Sequence, residues 1–233
     1  MKEPRATKEP NAPARRPRRP RGSLSREAVV EAALALVDTE GVEGLSMPRL
    51  ARRLDAGVMT LYSYVRSKQE LLDEVAMHAI AEVRLGASDP QDSSATLLSW
   101  GRGLRDVLLA HPGVAGVLAS RAVIGPGIFR GVEGLLHRLR AAGLPPETAL
   151  RAIYAVLIFT LGFVMWETPR VHAQPASIYA AQWREAFARM PPGDLPQIAA
   201  LLPELGTLAS EEQFEFGLRA FVAGLRATPT ASA

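Results

Sequence analysis

The sequence predicts an all-α fold, and three observations carry that reading. Apolar residues recur at spacings of three and four in almost every segment, and no convincing run of alternating β-branched residues with hairpin turns interrupts them. An apolar content of 48% over 233 residues is enough for a substantial core.

Taking the elements in order, Ser25 can cap a helix over 26–40 with the stripe Val29, Val30, Ala33, Leu34, Leu36 and Val37, and Gly41 is its natural stop. Ser46 can cap a short second helix, 48–55. Pro48 is tolerated there because a first-turn N–H has no helical partner anyway, and Leu50 and Leu54 face inward. Ala56 and Gly57 turn the chain into a third helix, 58–65, anchored by Leu61 and Val65. Ser67-Lys-Gln-Glu70 reads as a capping box, in which serine and glutamate side chains satisfy each other's backbone N–H groups. It opens a long fourth helix with Leu71, Leu72, Val75, Ala79 and Val83 on the buried side.

After a polar break at 87–94, longer and more apolar helices are expected near 91–111, 113–122, 126–142, 146–168, 176–189 and 210–226. The prolines of 190–208 predict a loop with one short helical piece. Three regions follow: an arm at 1–22, a small domain at 23–85 and a larger helical domain at 86–233.

Charge separates these regions. Residues 1–22 hold eight basic and two acidic residues, so they carry +6 of a chain whose formal charge is +3. Recurrent Pro and few large apolar residues make this arm read as disordered. It serves either to neutralise phosphates or enter a minor groove, or simply to keep the chain soluble. It has no apolar core of a secretory signal. The absence of cysteine excludes disulfides, thiolate metal sites and a cysteine nucleophile, and the cytoplasm is the default location. The most apolar stretch, 152–166, falls short of the roughly 20 residues that span a bilayer. No membrane partner is expected; a helix apolar all round is instead buried on several sides, for instance against a partner subunit.

The second and third helices, joined by a glycine-containing turn, have the layout of a helix-turn-helix. Residues 46–68 carry Arg49, Arg52, Arg53, Arg66 and Lys68 against Asp55 alone. With Leu61 and Val65 inward, Met59, Thr60, Ser63 and Tyr64 are expected on the outside, where they can reach base edges or phosphates.

On SMPRLARRLDAGVMTLYSYVRSKQELLDEV, residues 25–75 resemble the DNA-binding domain of the tetracycline-repressor (TetR) family of bacterial regulators. The resemblance implies base contacts from Met59, Thr60 and Tyr64 with Arg49 nearby, and phosphate contacts from Ser46, Tyr62, Ser63 and Lys68. It departs at the turn, where members commonly carry glycine after the leucine; Asp55 stands there, a residue that tolerates left-handed geometry. LLAHPGVA, ALRAIYAVLIFTLGFVMWE and FEFGLRAFVAGL extend the resemblance through the larger domain. They imply a homodimer in which helices 146–168 and 210–226 form a four-helix bundle with the partner. Leu118, Leu135 and Trp166 lie near the positions that hold drug and magnesium in tetracycline-binding members, so neither metal nor cofactor is expected. An effector pocket would be apolar, lined by Trp100, Leu104, Val107, Leu118, Phe129, Leu135, Tyr154, Phe163 and Trp166, with Tyr154 or Arg121 orienting the ligand. The bland alternative is that these residues are only core.

Enzymatic readings find no constellation. The four histidines lack metal-ligand spacing, GPGIFRG at 125–131 lacks the strand and spacing of a dinucleotide loop, and no G-x-S-x-G occurs. Carboxylates are expected on solvated helix faces. The expected function is therefore a dimeric repressor released from double-stranded, palindromic operator DNA by a small hydrophobic effector. The alternative is a DNA-binding regulator controlled by a protein partner, or by no effector.

Overall fold

A computed structural model describes residues 24–86, 89, 91–172, 174–191 and 193–227; the basic arm expected at 1–22 lies outside them. Eleven α-helices and no strand occur among the described residues. They are α1 (Arg26–Gly44), α2 (Met47–Arg53), α3 (Val58–Tyr62), α4 (Lys68–Ile80), α5 (Ser93–Ala110), α6 (Pro112–Ser120), α7 (Pro126–Ala141), α8 (Pro146–Glu167), α9 (Ala176–Ala188), α10 (Pro196–Leu205) and α11 (Glu211–Ala227).

Local chemistry explains most ends. Ser25 accepts a hydrogen bond from the Ala28 N–H and starts α1. Gly41 breaks that helix as expected, with φ of 71°, but a further turn runs on to Gly44. Ser46 stands before α2 without capping it through its hydroxyl. The capping box differs from its expected form. Ser67 accepts from the Glu70 N–H, whereas the Glu70 carboxylate reaches one residue further back, to the Arg66 N–H at 2.7 Å. GPGIFRG is the start of α7, with Pro126 in its first turn.

The stripe of α1, together with Leu50, Leu61, Val65, Leu71, Leu72 and Val75, forms a closed core under α1–α4. Val83 lies beyond the end of α4 and is only half-buried. Packing then continues without a gap. α6 lies across α1 and α4, and its first turn is so close to α1 that a Cβ on Gly113 would stand 2.2 Å from the Val37 carbonyl oxygen. α5, α8, α7 and α11 build the larger core around Leu104, Leu108, Leu139, Val156, Phe214 and Leu218.

α8 departs from expectation at its end, where it passes into a π-helical turn, Thr168–His172. Together they are long and apolar enough to cross a membrane, so shortness does not argue against a span. Its inward face packs into the core, and Glu167 is buried rather than solvated. The hairpin of α9 and α10 buries no residue of its own, and Ile178, Trp183, Ile198 and Leu201 remain exposed.

Candidate nucleic-acid interface

The turn between α2 and α3 sets the angle of the motif. Asp55 has a φ of 50°, the left-handed value expected of the residue replacing glycine. Leu54 and Leu61 on either side are drawn into the core, which leaves α3 rotated with its other face outward. On that face Met59 is 79% exposed. Thr60, Tyr62 and Ser63 are exposed beside it, and the Ser63 hydroxyl donates to the Thr60 carbonyl oxygen at 2.6 Å. Ser46, Arg49, Arg52 and Arg53 are exposed on and before α2, and Arg66 lies beyond α3. Ser46, Arg49, Met59, Thr60, Tyr62 and Ser63 are thus all exposed on or beside α2 and α3.

Two expected contacts have other partners. α3 ends at Tyr62, so Tyr64 lies in the following turn and is not on an outer helical face. Its ring is half-buried against the core, and its hydroxyl donates to the Leu24 carbonyl oxygen at 2.7 Å. Tyr64 therefore ties down the segment that leads into α1. The Lys68 ammonium donates to the Val42 carbonyl oxygen at 3.0 Å, closing the extra turn after Gly41. An ammonium has three N–H donors, so this bond leaves it capacity for a phosphate. Arg49 pairs with Glu40 at 2.5 Å through its two terminal nitrogens, and its remaining N–H donors are left for a phosphate.

Connections to the larger half are equally specific. His111, between α5 and α6, places Nδ1 2.7 Å from Asp38 on α1 and Nε2 3.6 Å from Glu82 beyond α4. At the other end of α6, Arg121 donates to the Gln69 carbonyl oxygen at 2.9 Å and pairs with Asp73 at 3.2 Å. Both ends of α6 are thus fastened to the motif-bearing helices. No local sequence pattern encodes either link, because the partners lie 29 to 73 positions apart.

The effector residues do not form one ring around a cavity. Trp100, Leu104, Val107 and Leu135 are buried in the core, and Leu118 and Phe163 are half-buried. Tyr154 is 59% exposed and Phe129 is 64% exposed, so neither faces the interior. Trp166 lies at the surface with its ring against Phe163 and Tyr179. Arg121 is occupied with α4, as above. An open cleft of about 430 Å³ lies instead between α7 and the start of α8, lined by Glu133, Leu136, His137 and Arg140. A groove of about 490 Å³ runs beside α11, lined by Phe159, Gly217, Ala220, Phe221, Gly224 and Leu225. Next to it α8 exposes Leu150, Tyr154, Ile158 and Met165, and α11 exposes Phe216.

Comparison with known proteins agrees with this geometry. Residues 29–75 match the family described as bacterial regulatory proteins, tetR family, and residues 86–228 match the tetracyclin repressor-like C-terminal domain. A transcriptional regulator of Saccharopolyspora erythraea is 32% identical over 205 residues, covering 88% of this chain and 86% of its own. The transcriptional repressor DrrR1 of Streptomyces coeruleorubidus is 31% identical, with 91% and 81% covered. Among solved structures, ActR of Streptomyces coelicolor in complex with actinorhodin superposes with a TM-score of 0.78 at 30% identity, covering 91% of this chain and all of that one.

Proposed function

Because the chain belongs to the TetR family of bacterial transcriptional regulators, we propose that it is a homodimeric repressor that holds a palindromic operator and releases it when a small, largely apolar ligand enters the larger half. The observation that carries the DNA reading is the outward face of α3: Met59, Thr60, Tyr62 and Ser63 stand free of the core beside a row of arginines. Thr60 and Met59 are suited to base edges, and Ser46, Ser63, Tyr62, Arg49 and Lys68 to phosphates. Tyr64 supports them from behind through its bond to Leu24.

Dimerisation is supported by the α8–α11 surface. Leu150, Tyr154 and Ile158 recur every four residues, so they form one ridge, and the glycine-lined groove beside it offers space for a partner's ridge. Pairing these helices across a two-fold axis would present two copies of α3 to half-sites about one DNA turn, roughly 34 Å, apart. ActR was crystallised with actinorhodin, which favours a small-molecule effector over control by a protein alone. A ligand that repacks α5 would move α6, and with it the His111 and Arg121 contacts to α1 and α4. Only a ligand that binds the released form more tightly can shift the equilibrium. Such a regulator acts in the cytoplasm and needs no cofactor or catalytic group.

The test is selection of binding sites from random double-stranded DNA with the full chain, followed by sedimentation of the selected complex. A palindrome occupied by two protomers is expected. Binding without sequence preference, or one protomer per selected site, would end this reading.

A further inference from the structure

Where α5 and α8 meet, the core contains charge that packing alone does not require. The Arg105 guanidinium donates to both oxygens of Glu167, from Nε at 3.2 Å and from Nη2 at 2.5 Å. Glu167 is 1% exposed. Buried pairs of this kind contribute little net stability, and an apolar pair of similar volume often serves as well. His172 Nε2 lies 3.0 Å from Glu167 Oε1 and, with its side chain 44% exposed, connects the pair to solvent. It stands on the π-helical turn after α8, a rare element that recurs at functional sites. Seven positions before Glu167, on the same buried face of α8, the Thr160 hydroxyl is fully buried with no hydrogen-bond partner among the described residues.

Aromatic rings surround this polar group. The Arg105 guanidinium stands 5.1 Å from the centre of the Phe214 ring, and Phe214 meets Phe163 edge-on at 5.3 Å. Phe163 leads to Trp166 at 6.1 Å, and Trp166 to Tyr179 at 6.5 Å, so the rings continue from the core to the surface. Arg170 lies over Trp166 at 4.3 Å. Around the Glu167 carboxylate stand the Arg105 guanidinium and the His172 imidazole, so Arg105 can exchange its acidic partner for another carboxylate while Glu167 keeps a partner of its own.

Resting on the ligand-responsive reading above, we propose that Arg105, Glu167 and His172 form the anchor of the effector site, and that the effector is a planar aromatic acid. Its rings intercalate among Phe163, Trp166 and Phe214, and its carboxylate takes the Arg105 guanidinium that Glu167 holds in the unliganded protein. Glu167 is then left to His172, and Thr160 supplies a hydroxyl to a polar substituent on the ring. Exchange at Arg105 loosens α8 from α5, and Arg105 is six residues before His111 on the segment that enters α6. Ligand capture and the joint with the DNA-binding helices thereby share one helix.

The probe is 3-hydroxy-2-naphthoate, compared with its methyl ester, using the full chain and titration calorimetry. A charge-assisted contact to a guanidinium predicts that the acid binds about tenfold or more tightly than the ester. Replacing the pair together, R105Q with E167Q, removes both charges without stranding one, and the acid-to-ester ratio should fall to about one. H172Q, altered at a half-exposed ring, should retain the fold and lower the ratio in part. Equal affinity for acid and ester in the native chain overturns the proposal. So does a ratio that survives both the double variant and H172Q, or failure of the acid to bind. Selection of an operator by the same sample distinguishes that outcome from failure of the regulator reading itself.

Discussion

The two halves of this chain treat apolar surface in opposite ways. Under α1–α4 the large aliphatic side chains are buried, and the exposed face of α3 carries hydroxyls, a methionine and neighbouring arginines. Around α8–α11 a core of similar quality exists, yet Tyr154, Ile158, Met165 and Phe216 remain on the outside. A soluble monomer seldom leaves so much contiguous apolar surface without use. The smaller half is complete in one protomer and directs its outer face to a polar, charged partner. The larger half has two kinds of surface, one packed against itself and one that the proposed second copy would cover. The difference separates the cost of a mutation to folding from its cost to assembly, and substitutions can test each side.

The largest effect is expected from placing a charge on the ridge. Ile158→Glu should leave helical content intact while converting dimers to monomers, and operator affinity should fall by about 10²–10⁴ through loss of two-site binding. Sedimentation and DNA anisotropy measure the two consequences; an undisturbed dimer would show that the ridge is not the interface. Next come two neighbours on α3 that face opposite ways. Leu61→Ala removes a fully buried side chain and should cost about 2–5 kcal/mol of stability. Thr60→Ala should hardly change the melting temperature but should weaken the selected operator relative to random DNA by about 1–3 kcal/mol. Equal weakening on both DNAs would remove Thr60 from base readout.

Tyr64→Phe follows, at about 1 kcal/mol of stability for its hydroxyl bond to Leu24, with the operator-to-random ratio unchanged. A collapsed ratio with unchanged stability would return Tyr64 to the groove. Tyr64 also marks what could be read from sequence. Helix boundaries, the Gly41 break and the left-handed Asp55 depend on neighbours within a few positions, and their residue types report them directly. The partners of Tyr64, Lys68, His111 and Arg105 lie between 26 and 73 positions away, and no local pattern encodes them. The outward position of Tyr154 is illegible for another reason. On a helix apolar all round, no polar face indicates which aromatic points inward, so tertiary packing alone decides.

The smallest effect concerns acid stability, and it distinguishes the halves again. The Glu70 carboxyl is held below its ordinary 4.5, first by the Arg66 N–H and then by Arg26, against an opposing effect of desolvation. The Glu215 carboxyl is lowered chiefly by Arg102, between α5 and α11. A carboxyl with a depressed folded pKa contributes stability above its unfolded pKa, and that contribution disappears as pH falls through the folded value. Each glutamine replacement should therefore lower stability at neutral pH and converge on the native chain in acid. Trp100, Trp166 and Trp183 all lie in the larger half, so tryptophan emission follows that half alone, whereas circular dichroism follows both. Glu215→Gln should move the emission transition. Glu70→Gln should move the dichroism transition and leave emission in place, provided the halves unfold separately in acid. Coincident shifts in both signals for both variants would instead mean that the close contact of α6 with α1 and α4 makes the chain one cooperative unit, the condition under which a ligand in one half is felt most directly in the other.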